Sequence, residues 1–316
     1  MSRCLYCYQQ LSENETDFHS ACSKMMFGVP IPPLLPYSEF QMEELATLVV
    51  KSQTTVTGVQ PKLSLELEKG TNKQEPKRFT IVGLWGGYIL KPPTENYPQL
   101  PEVEDLTMHL AKIAGINVVP HSLIHMQSGN LAYLTKRIDR NKQGKLAMED
   151  MCQLTGRLTE DKYRGSCEQV ARAILKHSVN PGLDVVNFFE LVLFSFLTGN
   201  ADMHLKNFSL INRPGIGYVL SPAYDLVATK LVNSVDDEEM ALTLNGRKKK
   251  LRRSDFIAAF NTLKLDPKQQ ENIFRKMERA KQQWMEFIDI SFVSDKFKEA
   301  YKALLQERFL RIRNNG

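Results

Sequence analysis

The sequence predicts an α+β protein of two lobes, strand-rich in front and helical behind. Three observations predict it. Up to about residue 145, short alternating apolar runs are bounded by glycine and asparagine. From about Cys167 the apolar positions recur at helical spacing instead. A single polar loop, Thr198–Asn207, interrupts the helical half and leads into a short strand at Phe208. A ligand cleft is the default expectation for such a chain.

In order, residues 1–36 read as a Cys/His segment ending at Gly28 and a linker rich in proline from Pro30 to Pro36. Residues 37–145 form the front lobe and 146–316 the back lobe. Met42–Val50 has helical spacing, and Thr54–Leu67 alternates around a glycine as strand, turn and strand. A charged turn, Lys69–Lys77, leads to strands at Phe79–Val82 and Tyr88–Lys91. Over Glu102–Ala114 a helix places Val103, Leu106, Leu110 and Ile113 on one face, and Gly115 stops it. Strands Asn117–His125 and Leu131–Arg137 flank a turn at Gly129-Asn130. Helices follow at Gln169–Lys176 and Val185–Leu197, then strands Phe208–Ile211 and Tyr218–Leu220 around Asn212-Arg213-Pro214-Gly215. Ser254 to Arg313 reads as helix, with Ser254 and Asp266 as N-caps.

Composition excludes several classes. With 42% hydrophobic and 24% charged residues the chain is globular rather than disordered. The apolar run Phe188–Leu197 is broken by Glu190 and Ser195 and falls short of a membrane span. The polar N-terminus does not read as a secretory signal. Five cysteines are not spread as a disulfide framework, so a cytoplasmic location and no membrane partner are expected. Arg247, Lys248, Lys249, Lys250, Arg252 and Arg253 carry six positive charges, so the net +5 would be −1 without them. That strip reads as a solvated loop offset by Asp236–Glu239, with a contact for nucleic acid or an acidic partner as the alternative.

Three features suit phosphoryl transfer. Asp202 and Asn207 stand five apart in one loop, the spacing at which a protein kinase places its catalytic base and a magnesium ligand. Asp225, in Ser221-Pro-Ala-Tyr-Asp225, sits where the second metal-holding carboxylate belongs, although Leu-Val follows it rather than Phe-Gly. Lys91 ends a strand in the front lobe, where a lysine pairs with phosphates as a point charge. A turn aspartate and a surface lysine are the plain alternatives for Asp202 and Lys91. Glu104 is placed to pair with Lys91 or to stand exposed on its helix. Near the N-terminus, Cys4-x-x-Cys7 and His19-x-x-Cys22 offer four ligands that can close a tetrahedral zinc site. Reduced thiols with a packed histidine are the alternative, and Cys152 and Cys167 read as structural.

These segments, in order, resemble the HipA family of bacterial toxin kinases. The resemblance runs through Val56-Thr-Gly-Val-Gln-Pro-Lys-Leu63, Tyr88-Ile-Leu-Lys-Pro92 and Lys136-Arg-Ile-Asp-Arg140. It continues through Met148-Glu-Asp-Met-Cys-Gln153, Thr198-Gly-Asn-Ala-Asp-Met-His-Leu-Lys-Asn-Phe-Ser209 and Pro222-Ala-Tyr-Asp225. It implies a protein-kinase-like fold with a strand-rich N-terminal lobe and an all-helical C-terminal lobe, using ATP and Mg2+. By the same resemblance Asp202 is the catalytic base, with Lys91 assisting, and Asn207 and Asp225 hold magnesium. Thr57, Gly58, Val59, Gln60 and Lys62 belong to the loop covering ATP, and Lys136 and Ile138 to the hinge that holds adenine. His204 and Tyr224 line the nucleotide pocket. Family members often carry an acidic residue where Lys136 stands. Thr55 and Thr57 occupy the places of autophosphorylated serines, where an added phosphate would block ATP.

The resemblance also implies a serine/threonine protein kinase toxin acting on an aminoacyl-tRNA synthetase, paired with a helix-turn-helix antitoxin. DNA would be met only through that antitoxin. The family's extra N-terminal subdomain of about a hundred residues has no room here, and a separate protein is expected to supply it. A small-molecule kinase of the aminoglycoside or choline type, and a nucleotide-holding binding protein, are the alternative functions.

Overall fold

The computed structural model describes residues 2–42, 44, 62–68, 76–82, 86–141, 144–233 and 237–313. The chain divides into two compact units. One comprises Met1–Asp105, Val119–Ile138 and Ile290–Phe292, and the other Leu106–Val118, Asp139–Asp289 and Val293–Gly316.

The first unit is built on a five-stranded antiparallel sheet of order β2-β1-β3-β5-β4. Its strands are β1 (Leu63–Leu67), β2 (Phe79–Ile81), β3 (Tyr88–Lys91), β4 (His121–His125) and β5 (Leu131–Lys136). Alternation sets the register: Leu63 and Leu65, both buried, pair with Leu90 and Tyr88 of β3. On its other side β3 pairs with β5, setting Lys91 opposite Tyr133. The strand read from Asn117 begins at His121, because Pro120 has no N–H to give to a ladder. Helix α1 (Ser20–Phe27) ends on Gly28 at φ +77, a left-handed position that suits glycine. Phe27 packs edge-on to Phe79 with ring centroids 5.9 Å apart. Of the expected Met42–Val50 helix and Thr54–Leu67 strand pair, all but Met42, Glu44 and residues 62–67 lie outside the described residues.

Helix α2 (Leu100–Ile113) buries Val103, Leu106 and Leu110, as its spacing requires, and the division between the units falls within it. In the second unit, β6 (Arg140–Asn141) and β7 (Gly144–Lys145) form a ribbon. Strand β8 (Met148–Asp150) precedes helix α3 (Met151–Leu154). Two longer helices follow, α4 (Cys167–His177) and α5 (Pro181–Thr198). Ser166 and Gln169 cap α4 reciprocally. Along α5, Phe188, Phe189, Phe194 and Phe196 are fully buried, and Ser195 and Thr198 turn their hydroxyls back onto the carbonyls of Leu191 and Phe194. This 18-residue helix is longer than the run read from the sequence and is long and apolar enough by composition to cross a bilayer. In the structure 72% of it is buried.

Strands β9 (Ser209–Arg213) and β10 (Gly217–Leu220) then join β8 in a sheet of order β10-β9-β8. The expectation of an all-helical C-terminal lobe is therefore corrected. Strand β8 is three residues long and pairs with a partner some sixty residues later, so no local periodicity announces it. The short helix α6 (Thr229–Val232) precedes α7 (Arg253–Thr262), α8 (Pro267–Asp289) and α9 (Asp295–Ile312). Asp266 caps α8 through Gln269, as expected. Ser254 does not cap α7: the N-cap is Arg252, two residues earlier, and its N–H donates to Asp255. The basic strip is offset by the acidic run, with Lys248 on Glu238 at 3.1 Å and Lys249 on Asp237 at 2.5 Å.

Candidate active site

In the second unit the candidate site grows out of the C-terminus of α5. Gly199 ends that helix at φ +69 with the Leu304 side chain against it, so a Cβ there would clash and a turn follows at once. Phe208, just past the loop, packs edge-on to Phe188 of α5 at 5.0 Å. Ser209 then enters β9 opposite Asp150. The loop is therefore anchored at both ends by core packing and by a ladder.

Within it the side chains hold one another. The Asn207 amide donates to the Asp202 carbonyl at 2.9 Å, which commits its nitrogen and leaves its Oδ1 as an acceptor. The His204 N–H also donates to that carbonyl, at 2.8 Å. Half-buried, the Asp202 carboxylate accepts from the Tyr163 hydroxyl at 2.7 Å. Tyr163 stands edge-on to the His204 ring at 5.1 Å. Burial pushes the His204 imidazole down, against the pull of Asp202 and Asp225, whose carboxylates favour its charged form. It is therefore neutral at neutral pH, and its buried Nδ1 has no hydrogen-bond partner among the described residues.

Asp225 arrives from β10. The Ala223 N–H donates to the Asn117 carbonyl at 2.7 Å, fixing the chain just before it, and Asp225 itself takes φ +60. Few residues other than glycine occupy that region, and a short polar side chain is among those that do. Tyr224 turns the other way: its hydroxyl donates to the Lys206 carbonyl at 3.0 Å and meets Ser209. Burial first, then the nearby carboxylates, pushes its phenol up. Lys206 pairs with Asp150 at 2.7 Å. Asp150 also accepts from the Gln153 N–H at 3.0 Å and donates its own N–H to the Gln153 side chain at 2.9 Å. The Glu-Asp-Met-Cys-Gln string thus caps α3 and ties it to the loop.

Lys91 belongs to the first unit. At the end of β3 it is 4% exposed, paired at 2.5 Å with Glu104, itself 1% exposed, and 5.4 Å from the Tyr133 ring. The surface reading of Lys91 and the exposed reading of Glu104 are both overturned. Lys136 ends β5 exposed, with its N–H on the Pro120 carbonyl, and the half-buried Ile138 is the last residue before the division between the units. Exposed Lys62 immediately precedes β1, while Thr55, Thr57, Gly58, Val59 and Gln60 lie outside the described residues. Sequence reasoning missed Tyr163 and Asp150. Tyr163 lies in an irregular segment about forty residues ahead of its partner, and only the side-chain contact reveals it.

Asn207 and Asp225 offer the hard oxygen donors that magnesium takes. The site also presents a neutral imidazole with an unpartnered nitrogen, which suits a polar ligand. Separately, in the first unit, the ligand atoms of Cys4, Cys7, His19 and Cys22 lie within 4.8 Å of one another.

The HipA-like C-terminal domain family matches residues 54–284. A relative from Haemophilus influenzae is 33% identical over 212 residues, covering 62% of this chain and 58% of its own length. The serine/threonine-protein kinase toxin HipA of Shewanella oneidensis is 31% identical over 216 residues, 60% of this chain and 48% of the relative. The chain spans about half the length of the curated relatives it matches. Among solved structures, one from the Shewanella oneidensis complex of HipA, HipB and operator DNA aligns with a TM-score of 0.68 at 24% identity, over 96% of this chain and 80% of that one. The Helicobacter pylori proinflammatory kinase CtkA aligns at 0.56 and 16% identity, over 79% of this chain and 93% of that one. These likenesses establish a kinase-like α+β fold. With well over half of its residues matched, the chain belongs to the HipA-like family.

Proposed function

We propose that this protein is a Mg-ATP-dependent serine/threonine protein kinase. One observation carries the reading: the Asn207 amide locks onto the Asp202 carbonyl at 2.9 Å, while Asp202 and Asp225 both lie in the field of His204. That arrangement supports Asp202 as a base and Asn207 and Asp225 as oxygen donors for a cation, the set that phosphoryl transfer needs. Asp202 accepts the proton of the attacking hydroxyl, and Tyr163 holds the carboxylate in place. Lys91, held by Glu104, binds the nucleotide phosphates. Neutral His204, with Tyr224 behind the loop, lines the nucleotide side. Magnesium, held by Asn207 and Asp225, would neutralise charge on the β- and γ-phosphates. Rate then comes from positioning and fixed electrostatics rather than covalent chemistry.

The proposed acceptor is a protein hydroxyl, the proposed substrate an aminoacyl-tRNA synthetase and the proposed role a toxin's growth arrest; likeness to a serine/threonine-protein kinase toxin is what supports this. A HipB-like helix-turn-helix antitoxin is the proposed partner, with DNA met through it. Autophosphorylation at Thr55 or Thr57 would switch the enzyme off. Five free cysteines accord with a cytoplasmic location.

The test is transfer of labelled phosphate from ATP to protein in a cell extract. Asp202→Asn is expected to keep the circular dichroism of the wild type and lose transfer by at least about 100-fold. A folded Asp202→Asn variant with undiminished transfer would overturn the reading.

A further inference from the structure

The N-terminal segment carries a second constellation that phosphoryl transfer does not use. Cys4 and Cys7 lie at the two ends of a tight turn in which the Tyr8 N–H donates to the Cys4 carbonyl at 2.9 Å and the Cys4 N–H to the Gln9 carbonyl at 2.8 Å. An antiparallel bridge between Arg3 and Gln10 closes the turn, and Tyr8 sits at φ +64 immediately after the second cysteine. Backbone N–H groups point at sulfur, those of Tyr6 and Cys7 at Cys4 and that of Gln9 at Cys7. From the other side, His19 stands at the N-terminus of α1 and Cys22 follows within its first turn, so the two share one face.

Distances give the geometry. A tetrahedron with Zn–S of about 2.3 Å and Zn–N of about 2.0–2.1 Å has edges of about 3.5–3.8 Å. His19 Nδ1 lies 3.4 Å from Cys7 Sγ and 3.7 Å from Cys22 Sγ. The tautomer is fixed as well. His19 Nε2 is 3.0 Å from the Gln10 carbonyl, which can only accept, so Nε2 carries the proton and the Nδ1 lone pair faces the sulfurs.

We propose that Cys4, Cys7, His19 and Cys22 bind one structural zinc ion. Four protein ligands close the coordination shell, so the site holds structure rather than performing catalysis. Binding converts three thiols to thiolates and releases their protons to solvent. The ion staples the first turn to α1, two pieces too short to hold each other by burial alone. That staple reaches the sheet of the same unit. The Leu123 N–H donates to the Leu5 carbonyl at 3.2 Å, and the Tyr8 hydroxyl donates to Asp105 at 2.7 Å. The Tyr88 hydroxyl donates to the Met26 carbonyl at 3.2 Å, and Tyr88 begins the strand that ends in Lys91. Zinc therefore stabilises β3 from outside, whatever reaction the protein catalyses.

Elemental analysis of the full chain, purified reduced and without chelator, is expected to find about one zinc per chain. Replacement by Co2+ is expected to give thiolate-to-cobalt charge-transfer absorption and the visible bands of a tetrahedral ion. Cys22→Ser should weaken zinc binding by at least about 10- to 100-fold, while Cys152→Ser leaves it unchanged. Amide exchange at β3 should quicken on chelation. A chain without stoichiometric zinc that also gives no cobalt spectrum would overturn the proposal. So would zinc that Cys22→Ser leaves in place in a folded variant.

Discussion

Glu104→Gln removes the counter-charge of Lys91 while keeping nearly the same shape, and its cost follows from burial. The pair lies 2.5 Å apart with the two residues 4% and 1% exposed. At an effective dielectric of about 20 that separation corresponds to about 7 kcal/mol of attraction. Several kcal/mol of lost hydration per ion oppose it, so the pair as a whole is nearly neutral against an apolar replacement. A single substitution is different, because it takes the carboxylate charge away from a buried ammonium. The Tyr133 ring at 5.4 Å offers about 2 kcal/mol in return. Glu104→Gln should therefore destabilise the first unit by about 3–5 kcal/mol. With Lys91→Met and Glu104→Leu each costing about 3–5 kcal/mol alone, the double variant should return to within about 1–2 kcal/mol of the wild type, a coupling of at least about 4 kcal/mol in a double-mutant cycle. Amide hydrogen exchange on peptides from β3 and the start of α2 measures this locally. A Glu104→Gln variant within about 0.5 kcal/mol of the wild type, or a double variant no better than the sum of the singles, would show that Lys91 is solvated and refute the argument.

Tyr163→Phe removes one hydrogen bond to a carboxylate, worth about 1.5–3 kcal/mol, and should lower kcat/KM for transfer by about 10- to 100-fold with the fold intact; steady-state kinetics and circular dichroism check it. Burial alone would push the Glu239 carboxyl up, but two hydrogen bonds from Arg311, the Leu251 N–H and the Arg308 charge together hold it below 4.5. A depressed folded value means that this stability is present above the unfolded pKa and is lost as pH falls through the folded one. Glu239→Gln should thus cost about 3–5 kcal/mol at pH 7, and its gap to the wild type in urea unfolding should narrow below about pH 4.5. His125 is the opposite case: its hydrogen bond to Asp17 raises it above 6.5, so its contribution is complete below the unfolded value and lost as pH rises through the folded one. Asp17→Asn should lower the His125 pKa in an NMR titration and, for so exposed a pair, cost less than about 1 kcal/mol.

What the sequence disclosed was local in character. Asp202 and Asn207 are legible as a pair because their spacing within one loop carries the whole signal, and Asp266 because a cap is written in four positions. Strand β3 is read to the residue, since Tyr88-Ile-Leu-Lys91 alternates against both neighbours. Strand β8 was hidden because three residues show no period and its partner is remote. Ser254 misled because Asp255 captures the neighbouring N–H first. Whether Glu104 pairs or stands in solvent depends on which face of α2 is covered, and one helix's spacing does not decide between adjacent positions. Tyr163 needs the loop's three-dimensional course before its hydroxyl has anything to meet.

Asp150 has no spare atom. One carboxylate oxygen holds a helix amide, the other holds Lys206, the peptide N–H is given to Gln153, and the backbone pairs with Ser209. Asparagine would turn an NH2 toward an N–H or an ammonium, and glutamate would carry both oxygens one bond too far to cap. This position resists drift from two independent directions, and a variant there would blend folding damage with misplacement of the loop.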